Sequence, residues 1–459
     1  MALMHSESGG EAAAHAAVGA GHEYPRARIA WSMVAVLMLC YTLSYADRQI
    51  LAFLVGPLKH DLHITDTQFG VLQGFAFAAF YTGFGLPMGM LADRFSRRNL
   101  IGVGVVFWSL TTALCSIARS FGSLMAARMG VGVGEAALSP SAFSMIADSF
   151  PRERLSSALS IYTMGIQLGS GLALIIGGVV AQAVSALPPL VLPGVGAIAA
   201  WRITFLIVGA PGLLVALLLL TVREPARRAL LVTAAGVAVR PGLRETLVQI
   251  GLRWRSAAGI AVAISSQATC NYALLSWAPA FFDRVYHWPK ARSGLALGLI
   301  TLGCGCAGLF AGGRLSDRWQ SRGKPQGPLL VGLISLVGMA LTLAPAMLLP
   351  SAGATLACLV AAVFFIGLPI GCGYAALQLI FPNQVRGLVS AAVILVVALS
   401  GLTLGPLLPG VFNDHLFHDE NMVGYSIALT VLAACVVGIA AIALTLPRYR
   451  ADYDAVHGG

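Results

Sequence analysis

The sequence predicts an all-α protein that crosses a lipid bilayer twelve times. Three observations predict it. Hydrophobic residues make up 58% of the 459-residue chain and the mean hydropathy is +0.82, more apolar surface than a soluble domain of this length can hide. Apolar runs recur from end to end, each long enough to cross a hydrocarbon layer of ~30 Å at ~1.5 Å per residue. The runs are continuous instead of alternating every second residue, which excludes a β-barrel.

Residues 1–28 open the chain as a disordered tail with no basic start and no apolar core, so no cleaved signal is read there. Spans one to six follow near 29–55, 67–92, 99–118, 122–147, 155–184 and 202–222, and form a first bundle over 29–222. A basic linker occupies 223–255. Within it Leu243, Leu247, Ile250 and Trp254 recur as they would on a helix lying on a membrane surface, the other reading being a plain flexible linker. Spans seven to twelve fall near 256–282, 293–317, 327–348, 352–378, 386–409 and 424–446, a second bundle over 256–446, and 447–459 is a closing tail.

Loop charge sets the orientation. Arg26, Arg28, Arg94, Arg97, Arg98, Arg152, Arg154, Arg223, Arg227, Arg228, Arg314, Arg318, Arg322, Lys324, Arg386 and Arg448 fall on one side, with little more than Lys59, Arg119, Arg202, Arg284, Lys290 and Arg292 opposite. The positive-inside rule then puts both termini in the cytoplasm of a cell whose inner membrane the chain spans. The net charge of +10 resides in these short loops, so it does not read as nucleic-acid binding. The eight cysteines lie inside apolar runs with no CxxC, which argues against metal, structural disulfide and cofactor.

The chain also repeats itself. GMLADRFSRR (89–98) follows the second span and GRLSDRWQSR (313–322) follows the eighth, and FPRERLSSA (150–158) is echoed by FPNQVRGLVSA (381–391). Two pseudo-symmetric halves of six spans result. With Arg128–Gly134 in the fourth span, these loops resemble the major facilitator superfamily over residues 29–446, although Ser96 stands where the loop motif usually has Gly. The resemblance implies gating by Gly89, Asp93, Arg94 and Arg98 and by Gly313, Asp317 and Arg318, the acids accepting bonds from a neighbouring helix end and from nearby Arg in one facing state. The plainer reading gives the Arg residues topology alone.

Only four charges fall deep in a span: Asp47 and Arg48 in the first, Arg128 and Glu135 in the fourth. An intramembrane charge costs ~2.5–3.5 kcal/mol on insertion scales, so such residues face partners or water. At ~1.5 Å per residue Asp47 and Arg128 reach similar depth, which predicts that they pair, with Glu135 one or two turns deeper. A static strut and an exchanging pair both satisfy that spacing.

ADRQIL in the first span and GVGEAALSPSAFSMIADSFP (132–151) resemble the spinster-like branch. The resemblance implies a secondary transporter of lysolipids, sphingoid phosphates or related amphiphiles, coupled to protons through Asp47 and Glu135, with Arg48 and Arg128 handling the anion. Gln267, Asn271 and Tyr272 of the seventh span and Tyr374 and Gln378 of the tenth join them as binding candidates, against a packing role for each. A symporter of small organic acids or acidic sugars is the alternative substrate reading. The expected partners are the substrate, protons and the bilayer, and the chain is read as a monomer. No span carries a His, which argues against an intramembrane enzyme, and the charges cluster at one level instead of lining a continuous pore, which argues against a channel.

Overall fold

The computed structural model describes residues 24–186, 190–192, 196–227, 243–370, 372–381 and 383–457. Most of the tail at 1–28 and the linker segment 228–242 lie outside the described residues. The first half comprises α1 (Ala27–Gln49), which tightens into a 3-10 turn over Ile50–Phe53, the short α2 (Val55–Leu62), α3 (Asp66–Arg94) and α4 (Arg97–Leu114). It continues with α5 (Phe121–Glu135), α6 (Leu138–Ser149), α7 (Arg152–Ser185) and α8 (Ala200–Leu219). A small antiparallel hairpin, β1 (Leu190–Leu192) with β2 (Gly196–Ile198), joins α7 to α8.

The second half comprises α9 (Leu243–Tyr286), α10 (Lys290–Ser321), α11 (Gly327–Ala346), α12 (Ala352–Gly367), α13 (Gly373–Leu379), α14 (Asn383–Val411) and α15 (Val423–His457). Among the described residues these helices make twelve passes, six in each half, nine of them single helices long and apolar enough to cross a membrane. The helix expected over 243–254 is present, but it runs without a break into the seventh span.

Two spans that read as continuous in the sequence are broken. The fourth divides into α5 and α6 at Ala136–Ala137, where Pro140 has no N–H to give the Ala136 carbonyl and its ring crowds it. The tenth divides between α12 and α13 around Pro369, and the carbonyl of Phe365, four residues earlier, instead accepts a bond of 2.7 Å from Ser335 Oγ. The breaks occupy corresponding places in the two halves. So do two π-helical turns, Val71–Phe75 in α3 and Thr301–Gly305 in α10.

The start of α1 and the end of α15 mark one side, here called the terminal face, and the opposite side is the distal face. A single apolar core takes residues from both halves at the distal end, including Phe53, Leu54, Phe69, Leu174, Trp277 and Phe281. Phe69 of α3 meets Trp277 of α9 edge to face at 5.2 Å. The halves touch there backbone to backbone: a methyl group added at Gly74 would lie 2.3 Å from the Leu402 carbonyl oxygen, and one at Gly178 would lie 2.4 Å from that of Lys290. Toward the terminal face the first half has a core of its own, built on Met33, Leu37, Ile101, Trp108, Met145 and Tyr162. The halves are therefore joined distally and separate terminally.

Candidate functional site

A cavity of about 300 Å³ lies between the halves below the distal seal. Tyr41, Tyr45 and Arg48 of α1 and Tyr81 of α3 line one side; Gln267, Asn271 and Tyr272 of α9, Tyr374 of α13 and an aliphatic group around Ile366 and Val397 line the other. A narrow branch of about 50 Å³ continues from it to Gln167, Ser170 and the π-turn residues Thr301 and Gly305. The cavity thus gathers Arg48, Gln267, Asn271, Tyr272 and Tyr374. Gln378 is exposed away from it, because it stands one helical turn past Tyr374 at the terminal face.

The intramembrane charges pair differently from the expectation. Arg48 Nε and Nη2 donate to Glu135 Oε2 at 2.8 and 2.5 Å, Ser44 Oγ donates to the same oxygen, and Arg48 Nη2 also reaches Ser44 Oγ at 3.2 Å. Asp47 accepts instead from Thr112 Oγ1 of α4 at 3.4 Å, and Arg128 Nη1 donates to the main-chain carbonyl of Asp47 at 3.5 Å. The Asp47–Arg128 carboxylate–guanidinium pair is thus corrected. Depth is matched, but successive residues on a helix point ~100° apart, so Arg48 turns to the cavity while Asp47 turns to α4.

The pair is fully packed. Asp47, Arg48, Arg128 and Glu135 are all buried. The Arg48 guanidinium stands 4.3, 4.7 and 5.0 Å from the ring centroids of Phe77, Tyr45 and Tyr81, a cation–π cage on its cavity side. Gln73, in the π-turn of α3, donates to the Arg48 carbonyl at 3.1 Å. Glu135 gets its close approach from the glycines before it: a methyl group at Gly134 would lie 2.8 Å from Trp108 Cβ and one at Gly132 would lie 2.7 Å from the Phe77 carbonyl oxygen. Glu135 Oε1 and Arg128 Nε and Nη2 are buried with no hydrogen-bond partner among the described residues.

At the terminal face, Asp93, Arg94, Asp317 and Arg318 are exposed, and neither acid makes an ion pair among the described residues. Nor is Gly89 or Gly313 closely approached. The loop after α3 is instead held by the segment following α8. Ser96 caps α4 and donates to Glu224, whose other oxygen takes the Arg97 N–H at 2.8 Å. Arg97 also bonds Asp148 of α6 and the Pro225 carbonyl, while Arg227 donates to the carbonyls of Ala92 and Phe95 at 2.8 and 2.7 Å. Ser96, the departure from the loop motif, is thus the residue that ties this strap down. Burial pushes the Glu224 carboxyl up, but the bonds from Ser96, Arg97 and Arg98 outweigh it and hold the group below the ordinary glutamate value.

The distal face carries a cluster that sequence reasoning missed. Asp66 of α3 is buried and receives Arg284 of α9 through two bonds of 2.7 and 2.9 Å, Lys59 at 2.8 Å and Asn413 Nδ2 at 2.7 Å. Glu420 joins Lys59 at 2.6 Å, and Asp414 accepts from the N–H groups of Thr67 and Asp66, at the positive end of α3. Lys59 and Asp66 come from the first half and Arg284, Asn413, Asp414 and Glu420 from the second, so this network bolts the halves together. Thr65 caps α3, which places Asp66 in the first turn of that helix. The usable signal was the scarcity of bases on that side.

Residues 37–406 match the family description Major Facilitator Superfamily. The chain belongs to that superfamily. It is similar to an MFS-type efflux pump of Mycolicibacterium smegmatis, 32% identical over 93% of this chain and 94% of the relative. The human protein spinster homolog 1 is 31% identical over 67% of this chain, and the chain spans 59% of that relative's length. The crystal structure of a bacterial homolog to the human lysosomal transporter Spinster, in inward-facing and unoccupied conformation, superposes with a TM-score of 0.75 over 95% of this chain and 99% of that one, at 24% identity. This facilitator is therefore a multi-pass secondary transporter and not an enzyme.

Proposed function

We propose that this facilitator moves an amphiphilic organic anion together with a proton, and that the Arg48–Glu135 pair couples them. The observation that carries the reading is that one guanidinium serves two surfaces: it binds the buried Glu135 and it lines the cavity within an aromatic cage. An anionic head group entering the cavity competes with Glu135 for Arg48. Protonated Glu135 releases Arg48 to the substrate, and the neutral carboxyl is tolerated in a buried site where an unpaired carboxylate is not. Asp47 is the second acid and Arg128 the base beneath it, close enough to feel the charge of both acids, and the unpaired donors of Arg128 favour Glu135 or Asp47 as its partner in another state.

Five tyrosines and an aliphatic wall against two amides favour an amphiphile of lysolipid or sphingoid-phosphate type. The modest cavity volume of about 300 Å³ favours the alternative, a small organic acid or acidic sugar. Alternation follows from the two ends. The distal bolt around Asp66 is closed and the terminal acids Asp93 and Asp317 are free, which supports a state open at the terminal face, the cytoplasmic side by the charge of its loops.

Reconstitution in vesicles tests the coupling. Glu135→Gln is expected to abolish uptake driven by a proton gradient while substrate exchange without a gradient persists. Gradient-driven uptake at the wild-type rate in that variant removes the proposal.

A further inference from the structure

We infer that the outer face of the first half holds one anionic phospholipid, its phosphate on Arg98 and an acyl chain in the groove between α4 and α8. The groove has a volume of about 750 Å³ and is lined by Gly102, Val103, Phe107 and Leu110 of α4 and Leu213 and Leu217 of α8, with Arg98 and Asn99 at its terminal end. Its α8 wall backs onto the first-half core, to which Ala216 and Leu219 also belong. From Arg98 to Leu110 the helix rises about 18 Å, close to the half-thickness of a ~30 Å hydrocarbon layer, so the groove has the depth of one leaflet.

Its floor is opened by Gly102, where an added methyl group would meet no protein atom within 4 Å. Leu217 and Val103 on its walls are more than half exposed, at 63% and 68%.

The charge at its head decides which lipid. Arg98 directs Nε and Nη2 to its neighbour Asn99 and Nη1 to the Val222 carbonyl at 3.3 Å, and it makes no ion pair among the described residues. The Glu224 carboxylate is taken by Ser96 and Arg97 and accepts only the main-chain N–H of Arg98. A guanidinium without a carboxylate, at head-group height and at the mouth of a leaflet-deep apolar slot, matches a phosphodiester carrying net negative charge. A zwitterionic head group brings its own cation to the same place. Because α4 and α8 both contribute, the bound lipid clamps them, together with the strap that α8 feeds into.

The purified full-length protein in detergent, titrated with phosphatidylglycerol or phosphatidylcholine and read by native mass spectrometry and thermal unfolding, tests this. The wild type is expected to retain one phosphatidylglycerol and to gain several degrees in melting temperature, with phosphatidylcholine at least about five-fold weaker. Arg98→Gln is expected to weaken phosphatidylglycerol about five-fold. Gly102→Leu, whose added side chain starts from open space in the slot, is expected to abolish retention, and Gly122→Leu, at another open position, to leave it unchanged. Equal retention of the two lipids by the wild type, or wild-type retention of phosphatidylglycerol in either the Arg98 or the Gly102 variant, overturns the assignment.

Discussion

At the scale of single residues, the chemistry turns on which way each charge faces. Arg48 and Asp47 are neighbours in sequence, yet one lines the cavity and the other is held by Thr112 behind α1. Arg48→Ala should therefore cost far more than loss of a contact, since it leaves Glu135 buried and ionised without its cation; removing one partner of a buried pair typically costs ~3–5 kcal/mol. The double variant Arg48→Ala with Glu135→Gln is expected to recover most of that melting temperature while transport stays absent, which calorimetry and vesicle uptake together check. Asp66 is the other residue on which a large effect should fall. Asp66→Asn leaves Arg284 and Lys59 with only the exposed Glu420 between them, and the expected outcome is distal opening, read as a cysteine at the buried Ala52 becoming reactive to a membrane-impermeant thiol reagent. Wild-type reactivity in that variant would show that the bolt does not hold the gate.

At the scale of elements, the breaks in the fourth and tenth spans and the strap after α8 are the parts that can move. Pro140→Ala restores the missing N–H and lets α5 continue into α6, an expected stabilisation of the helix at the expense of exchange between facing states. A higher melting temperature with slower substrate exchange is the outcome to measure. The strap has a pH signature with a definite sign. Glu224 has a carboxyl held below its ordinary value, so its contribution is fully present above the unfolded glutamate value and is lost as the pH falls through the lower folded value. A spin label at Ala226 is expected to stay immobile at neutral and mildly acidic pH and to loosen only below the ordinary carboxylate range, whereas Glu224→Gln should loosen it at every pH.

At the scale of the whole molecule, the distal seal is a set of backbone approaches that a side chain would prevent. Gly74→Val places carbon where the Leu402 carbonyl sits, so the halves cannot close there. The variant is expected to populate a distally open form, seen as a longer distance between labels placed on α2 and on the loop after α14. An unchanged distance would mean that closure does not depend on this contact.

Much of this protein was fixed by composition and local pattern. The twelve passes follow from apolar length, the two halves from the repeated loops, and the buried layer of charge from four ionisable residues in runs that otherwise exclude them. Those features are legible because the bilayer imposes length and polarity on each segment by itself, without reference to its neighbours. Pairing was not legible. Whether Glu135 or Asp47 receives Arg48, whether Asp66 is a helix cap or a bolt, and whether Ser96 is a harmless substitution or the anchor of a strap depend on helix rotation and on approach between residues far apart in the chain. Only tertiary packing supplies these, because one residue of phase turns a side chain by ~100° and decides which partner it meets.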